Sequence, residues 1–218
     1  MNVIYFDFDG TLADTSKGII NGYRYAFEKK KLPEPSEKVI KENIGPPLKN
    51  VLSILAPSES TESIDELAIL YREYYSSEGV FELEFFDGVR EMLECISIKN
   101  VRLCILSSKP TVFIEKILKR YGYDKYFAAI DGVSLGYDNK TKKERLNDRI
   151  ICENIKPVDC IVVGDRAEDM NAARYCSTGF IGVLFGYGDE TEMNDSVTVK
   201  CVEDLKNRIV SWIDGKNG

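Results

Sequence analysis

The chain opens on an unbroken apolar run, Val3-Ile4-Tyr5-Phe6, that meets Asp7-Phe8-Asp9-Gly10-Thr11. An apolar run of this length bounded by glycine predicts a buried strand over residues 3–11 that ends in a turn. On an extended backbone Asp7 and Asp9 then project to the same side. Two carboxylates crowded at a strand end repel, and such crowding persists where a metal ion or a shared proton relieves it.

Over residues 15–86 the apolar period changes from strand to helix. Ile19, Ile20, Tyr23, Ala26 and Phe27 recur at helical spacing between Ser16 and Lys31, until Pro33 and Pro35 break the run. A short helix is predicted after Ser36, and Gly45-Pro46-Pro47 makes a stiff turn before a helix over Leu48 to Leu55. Ile64, Leu67, Ala68, Tyr71, Tyr74 and Tyr75 give a further helix over Ser63 to Ser77. With no strand-like run among them, these segments predict a small helical bundle.

From Phe86 onward strands and helices alternate. Helices are predicted over Gly88 to Ser97, Thr111 to Tyr121, Lys142 to Asn154, Glu168 to Cys176 and Val202 to Ile213. Strands are predicted at Val101 to Leu106, Phe127 to Gly132, Cys160 to Val163, Ile181 to Phe185 and Thr198-Val199. Strands joined by helices predict a parallel sheet with right-handed crossovers. The fold class is therefore α/β, with a doubly wound, Rossmann-like core from residues 1–14 and 87–218. Residues 15–86 form an inserted helical cap domain. The insert leaves right after the first strand, at the sheet edge where such folds bind ligands, so it is placed to act as a lid.

Composition narrows the chemistry. The 218 residues are 44% hydrophobic and 30% charged, as in an ordinary soluble domain, and no apolar run approaches the ~20 residues a membrane span needs. The immediate entry into a strand leaves no room for a signal peptide, so a cytoplasmic location is expected. A formal charge of −7 with interleaved signs argues against a nucleic-acid footprint. Lys29-Lys30-Lys31 reads as a solvated helix end. The six cysteines are scattered without a Cys-x-x-Cys pair and fit reduced thiols, several of them in the core. Asn139-Lys140-Thr141 fits a glycosylation pattern that has no meaning in a cytoplasmic chain.

The absence of histidine is the sharpest exclusion. Ser-His and Cys-His nucleophilic arrangements and His-based zinc sites are removed. Any metal must be a hard cation held by oxygen, and any acid or base must be Asp, Glu, Lys or Tyr. Polar residues close three strands at one predicted carboxyl edge: Asp7 and Asp9, then Ser107, then Asp165 with Asp169 one helical turn on. With Lys142 from the lysine-rich stretch between them, they would make a magnesium and phosphate site.

Asp7-Phe8-Asp9-Gly10-Thr11-Leu12 resembles the first motif of the haloacid dehalogenase superfamily in its phosphatase branch. Leu106-Ser107-Ser108-Lys109-Pro110 is similar to the second motif, and Val163-Gly164-Asp165-Arg166-Ala167-Glu168-Asp169 to the Gly-Asp-x-x-x-Asp form of the fourth. Ile44-Gly45-Pro46-Pro47-Leu48, Tyr71-Arg72-Glu73-Tyr74-Tyr75 and Gly182 to Gly188 resemble the phosphoglycolate phosphatase and nucleotidase-like subgroup.

The resemblance implies Asp7 as nucleophile and Asp9 as general acid, then base. It implies magnesium held by Asp7, the Asp9 backbone carbonyl and Asp165, with Asp169 as ligand or support. Ser107 would bind a phosphoryl oxygen, and Lys142, preferred over Lys140 and Lys143 because Thr141-Lys142 opens a helix, would neutralise charge. Backbone amides around Phe8, Gly10, Thr11 and Ser108 would cradle the phosphate, with Lys109 and, from the insert, Lys49 as further substrate contacts. The implied activity is magnesium-dependent hydrolysis of small phosphorylated metabolites, led by 2-phosphoglycolate or a nucleoside monophosphate. Pyrophosphate and phosphotyrosine-like esters are also within range. The expected partner is the metabolite alone, with no nucleic acid or membrane, on a monomer or homodimer. The alternatives are a sugar-phosphate mutase and a catalytically weak binding or regulatory protein on the same fold.

Overall fold

A computed structural model describes residues 2–135, 140–193 and 196–217; Asn139 of the glycosylation-like pattern lies outside them. The chain divides into two compact units, Met1–Ala13 with Phe85–Gly218, and Asp14–Glu84. No helix among the described residues is long and apolar enough to cross a membrane.

In the first unit, β1 (Asn2–Phe6) is buried along its whole length. Two short strands, β2 (Ala13–Asp14) and β3 (Glu84–Phe85), pair where the chain passes between the units. The alternation then runs α5 (Val89–Ser97), β4 (Val101–Pro110), α6 (Thr111–Tyr121), β5 (Ala129–Val133), α7 (Lys142–Cys152), β6 (Cys160–Gly164), α8 (Ala167–Tyr175), β7 (Gly179–Val183), β8 (Thr198–Val199) and α9 (Val202–Asn217), the four helices numbered below five lying in the second unit. The six-stranded sheet has the order β5-β4-β1-β6-β7-β8, and every pairing in it is parallel. The chain fills β4 and β5 on one side of β1 and then β6, β7 and β8 on the other. The switch point of this doubly wound sheet therefore lies beside β1, and the carboxyl ends of β4, β1 and β6 are neighbours.

Apolar burial holds this arrangement together. Val3, Tyr5, Cys104, Leu106, Cys160 and Val162 from the three central strands pack with Leu146 and Ile150 of α7 and Ala172 and Ala173 of α8. Each large apolar side chain so buried contributes roughly 1.5–3 kcal/mol. Helix ends follow local chemistry. Pro110 precedes α6, whose last turn carries Lys119 and Arg120, and Gly122 ends it in the left-handed conformation. The thiols of Cys104, Cys160 and Cys176 are buried, and all six cysteines are free.

The short strands β2 and β3 are not among the predicted ones, and β7 starts and ends two residues before the predicted run, but the differences that bear on the site are at β1 and β4. β1 stops at Phe6, not beyond Gly10. The Asp7 amide still bonds Val163 O (2.8 Å), but Phe8 O then accepts from the amides of Thr11 and Leu12 in a tight turn. Asp7 and Asp9 consequently do not share one face of a strand. β4 runs on to Pro110, four residues past its apolar stretch, with a register shift between Leu106 and Pro110.

In the second unit, α1 (Ser16–Lys30), α2 (Glu37–Glu42), α3 (Leu48–Leu55) and α4 (Thr61–Ser77) form a helical bundle. Tyr23 of α1 packs on Tyr71 of α4 (ring centroids 4.8 Å), and Tyr71 stacks on Tyr75 (5.5 Å). These buried rings fill the bundle interior. Gly18 lets α1 approach the chain at Gly79, where an added Cβ would lie 2.0 Å from the Gly79 carbonyl oxygen.

Candidate functional site

At the carboxyl ends of β1 and β6, three carboxylates meet. Asp7, Asp165 and Asp169 each offer an oxygen within 4.8 Å of the others, and all three are buried. The fourth member is Lys142, whose Nζ lies 3.1 Å from Asp7 Oδ2 and 2.7 Å from Asp169 Oδ1. Its position follows from the start of α7. Thr141 caps the helix by accepting from the Glu144 amide, and Glu144 accepts in return from the Thr141 amide (2.8 Å) and hydroxyl (2.6 Å). That box makes Lys142 the first helical residue and turns it inward, 2% exposed. Lys140 is exposed and paired with Asp148 (2.6 Å), while Lys143 lies over the Tyr175 ring.

One lysine does not balance three acids. Burial, and then the negative charge of Asp7, pushes the Asp165 carboxyl up to about 7. Asp169 moves in the same direction because its burial outweighs the attraction of the Lys142 cation. Burial opposes the charge on Lys142 too, but Asp169 and Asp7 outweigh it and hold the ammonium protonated. The shift of the lysine follows its partners, whereas that of Asp169 follows its burial, although Lys142 pulls it the other way. We read this as a deficit of positive charge, since one cation is shared by several buried acids. An oxygen-only donor set with such a deficit fits a hard divalent cation.

Asp165 is fixed by its surroundings. Thr11 donates its hydroxyl to Asp165 Oδ1 (3.1 Å), and the Tyr187 amide donates to Oδ2 (2.8 Å). The turn at Gly10 has φ +77°, and a Cβ there would lie 2.2 Å from Asp165 Oδ2. Gly164 is needed in the same way, since a Cβ would fall 2.2 Å from Asp169 Cγ. The Arg166 amide donates to Asp169 Oδ2 (3.1 Å) at the head of α8.

The remaining predicted residues divide into those at this cluster and those engaged elsewhere. Ser107 is buried at the end of the regular part of β4, its Oγ accepting from the Lys109 amide (3.3 Å). The Asp9 carboxylate accepts from Lys109 Nζ (2.7 Å), an ion pair that sequence reasoning did not anticipate. Phe8 is fully buried, its ring set edge-on to Phe85, and its amide donates to Asp7 Oδ1 (2.7 Å). Three amides of the expected cradle are engaged within the protein: that of Phe8 donates to Asp7 Oδ1, that of Gly10 to the Ala13 carbonyl (2.9 Å) and that of Thr11 to the Phe8 carbonyl (3.3 Å). Ser108 donates to Glu168 Oε2 (3.1 Å). Lys49 belongs to the second unit and pairs there with Asp65 (2.6 Å). Sequence reasoning also missed Arg145, which is buried on α7 and donates to the Ser107 carbonyl (2.8 Å). Its spacing of three from Lys142 was the available signal.

Comparison with known proteins agrees with this geometry. The family model described as haloacid dehalogenase-like hydrolase matches residues 4–183. A Pseudomonas aeruginosa protein named 5'-nucleotidase is 32% identical over 195 residues, covering 87% of this chain and 86% of that protein. A Mycobacterium tuberculosis protein named tyrosine-protein kinase PtkA is 30% identical over 186 residues, covering 85% of this chain and 63% of that longer protein. The crystal structure of a predicted phosphatase from Clostridium acetobutylicum superposes with a TM-score of 0.88 at 30% identity, covering 96% of this chain and 98% of that one. The chain belongs to the haloacid dehalogenase-like hydrolase family.

Proposed function

We propose that the protein is a magnesium-dependent phosphatase that hydrolyses small phosphomonoesters through an aspartyl-phosphate on Asp7. The observation that carries the reading is the cluster of three buried carboxylates sharing one buried lysine at the strand ends. Asp7, Asp165 and Asp169, with the Asp9 carbonyl, are the residues that would hold magnesium. When bound, magnesium supplies positive charge that draws electron density from the phosphoryl oxygens.

The chain's own residues then divide the work. An Asp7 carboxylate oxygen attacks phosphorus as the ester oxygen departs, and Lys142 keeps the nucleophile and the anionic phosphoryl group from repelling each other. Asp9 gives a proton to the leaving oxygen and afterwards takes one from the water that opens the phosphoenzyme. Asp9 must therefore carry a proton when the first step begins, and Lys109, 2.7 Å from its Oδ1, orients the side chain for the transfer. Ser107 donates a hydrogen bond to a phosphoryl oxygen. The Asp14–Glu84 unit serves as the cap that selects the leaving group, with Lys49 as one of its contacts. A nucleoside monophosphate leads as substrate because a relative alike over most of both chains bears the name 5'-nucleotidase; 2-phosphoglycolate follows from the motif resemblance.

The test is phosphate release across a panel of phosphorylated metabolites, with magnesium and with chelator. Magnesium-dependent release is the expected result. Isomerised sugar phosphate in place of free phosphate would assign a mutase, and ligand binding without turnover across the panel would assign a binding protein.

A further inference from the structure

Helix α7 presents two buried cations on one face. Lys142 and Arg145 are three residues apart, so their side chains share a side of the helix, and they are 2% and 5% exposed. Lys142 is accounted for by the carboxylates it touches. Arg145 has an ion pair that is long and not hydrogen-bonded. Asp131 Oδ1 lies 3.7 Å from Nη1, and neither Nη1 nor Nε has a hydrogen-bond partner. Asp131 is shared with Arg149, one turn on, whose Nε is closer, 2.7 Å from Oδ2. The hydrogen bond Arg145 makes runs from Nη2 to the Ser107 backbone carbonyl (2.8 Å).

That carbonyl sits where the sheet is irregular. β4 pairs with β5 at Leu106 and not again until Pro110, and its pairing with β1 ends at Ile105. Ser107, Ser108 and Lys109 therefore extend past the regular ladder, where backbone polar groups need partners from elsewhere. A guanidinium is a costly partner to bury with donors unspent. Water or a neutral side chain would satisfy one carbonyl more cheaply.

We propose that Arg145 is a positioning residue, a strut that fixes the Ser107 segment of β4 to the first turn of α7, so that the Ser107 hydroxyl and the Lys142 ammonium meet one phosphoryl group at a set separation. The inference rests on the phosphatase reading above, and it adds to it a residue that touches neither substrate nor metal. Its consequence is a coupling between two motifs 35 residues apart in sequence, since whatever shifts α7 shifts Ser107 with it.

The experiment compares Arg145→Met, Arg145→Lys and Arg149→Met in the full chain with magnesium present. It measures melting temperature, the affinity for inorganic phosphate by calorimetry, and kcat and KM for an alkyl and an aryl phosphate. Arg145→Met should weaken phosphate binding and lower kcat/KM on both esters by a common factor of roughly 10–100, as expected for a misplaced binding group. Arg145→Lys should recover part of the loss, because an ammonium can reach a carbonyl but lacks the rigid fork. Arg149→Met should lose stability with phosphate affinity within about twofold of wild type. The inference is overturned if Arg145→Met binds phosphate as wild type does, or if Arg149→Met weakens binding equally. Should Arg145→Met fail to fold, Arg145→Lys decides: wild-type phosphate affinity refutes the strut, and a loss greater than that of Arg149→Met supports it. Phosphate affinity that responds to Arg145 in a protein that turns over no ester would retire the phosphatase reading and leave the strut standing.

Discussion

Replacing Lys142 by methionine keeps an unbranched apolar stem and removes the cation shared by the acidic cluster. Nζ is 2.7 Å from Asp169 and 3.1 Å from Asp7, in a side chain 2% exposed. At an effective dielectric constant of about 20 the attractions at these separations are about 6 and about 5 kcal/mol, both gross values that desolvation largely offsets. Removing one partner from a buried pair typically costs about 3–5 kcal/mol net, because a charge is left uncompensated. At about 2–4 °C per kcal/mol for a chain of this size, Lys142→Met should melt about 6–20 °C below wild type in chelator. Magnesium should narrow that gap by giving the carboxylates the charge the lysine gave, while turnover stays low. The assay is thermal melting of both proteins with chelator and with magnesium, above the Asp165 value of about 7 so that its carboxyl is ionised. A variant melting within about 2 °C of wild type in chelator would refute the reasoning, because the acids would then be tolerating one another without the cation.

Two further outcomes follow from the same cluster. Asp165 titrates higher in the folded protein, near 7, than its ordinary 3.8, so between these values the native state binds more protons than the unfolded state. The stability from the protonated form is complete below the ordinary value and lost as pH rises through about 7, and Asp165→Asn should flatten this fall in chelator; denaturant titrations across that range check it, and an unchanged slope in the variant contradicts it. Gly10→Ala should cost at least about 1–2 kcal/mol for a left-handed residue, and should also weaken magnesium binding because the new Cβ displaces Asp165 Oδ2 from 2.2 Å away. Calorimetric titration with magnesium reads the second effect, and wild-type affinity would show that the Gly10 turn yields without moving Asp165.

Much of the architecture was legible because the chain alternates period so cleanly. The apolar runs at Ile4, Leu103, Ile161 and Ile181 are too short for buried helices and rich in β-branched residues, so they read as strands of a covered sheet, and the intervening 3.6-residue patterns read as helices. Lys142 is singled out from its two lysine neighbours by the family resemblance, in which a Thr-Lys pair opens a helix, and the capping box of Thr141 and Glu144 is the structural reason that the helix starts there. Other features depended on distance in sequence. Thr11 meets Asp165 across 154 positions, and Lys109 meets Asp9 across 100, and no local pattern encodes such pairs. The polar extension of β4 through Ser107 to Lys109 carries no apolar alternation, so it reads as a loop. Arg145 was hidden in the charged run Lys142-Lys143-Glu144-Arg145, where mean hydropathy argues for solvent and only its register with Lys142 argues for burial. The end of β1 was misjudged because Phe8 continues the apolar run; that ring is buried from a turn, not from a strand.

The central claim is that Asp7 carries the phosphoryl group. An enzyme sample mixed with a substrate identified from the panel and magnesium, then quenched and treated with borohydride, tests this most directly, because borohydride reduces an acyl phosphate to the alcohol and leaves free carboxylates untouched. Peptide mass spectrometry should find the reduced side chain at position 7 alone, only when substrate and magnesium are both present, and never in Asp7→Asn. Reduction at another aspartate, or steady phosphate release with Asp7 unmodified under every quench time, would contradict the account.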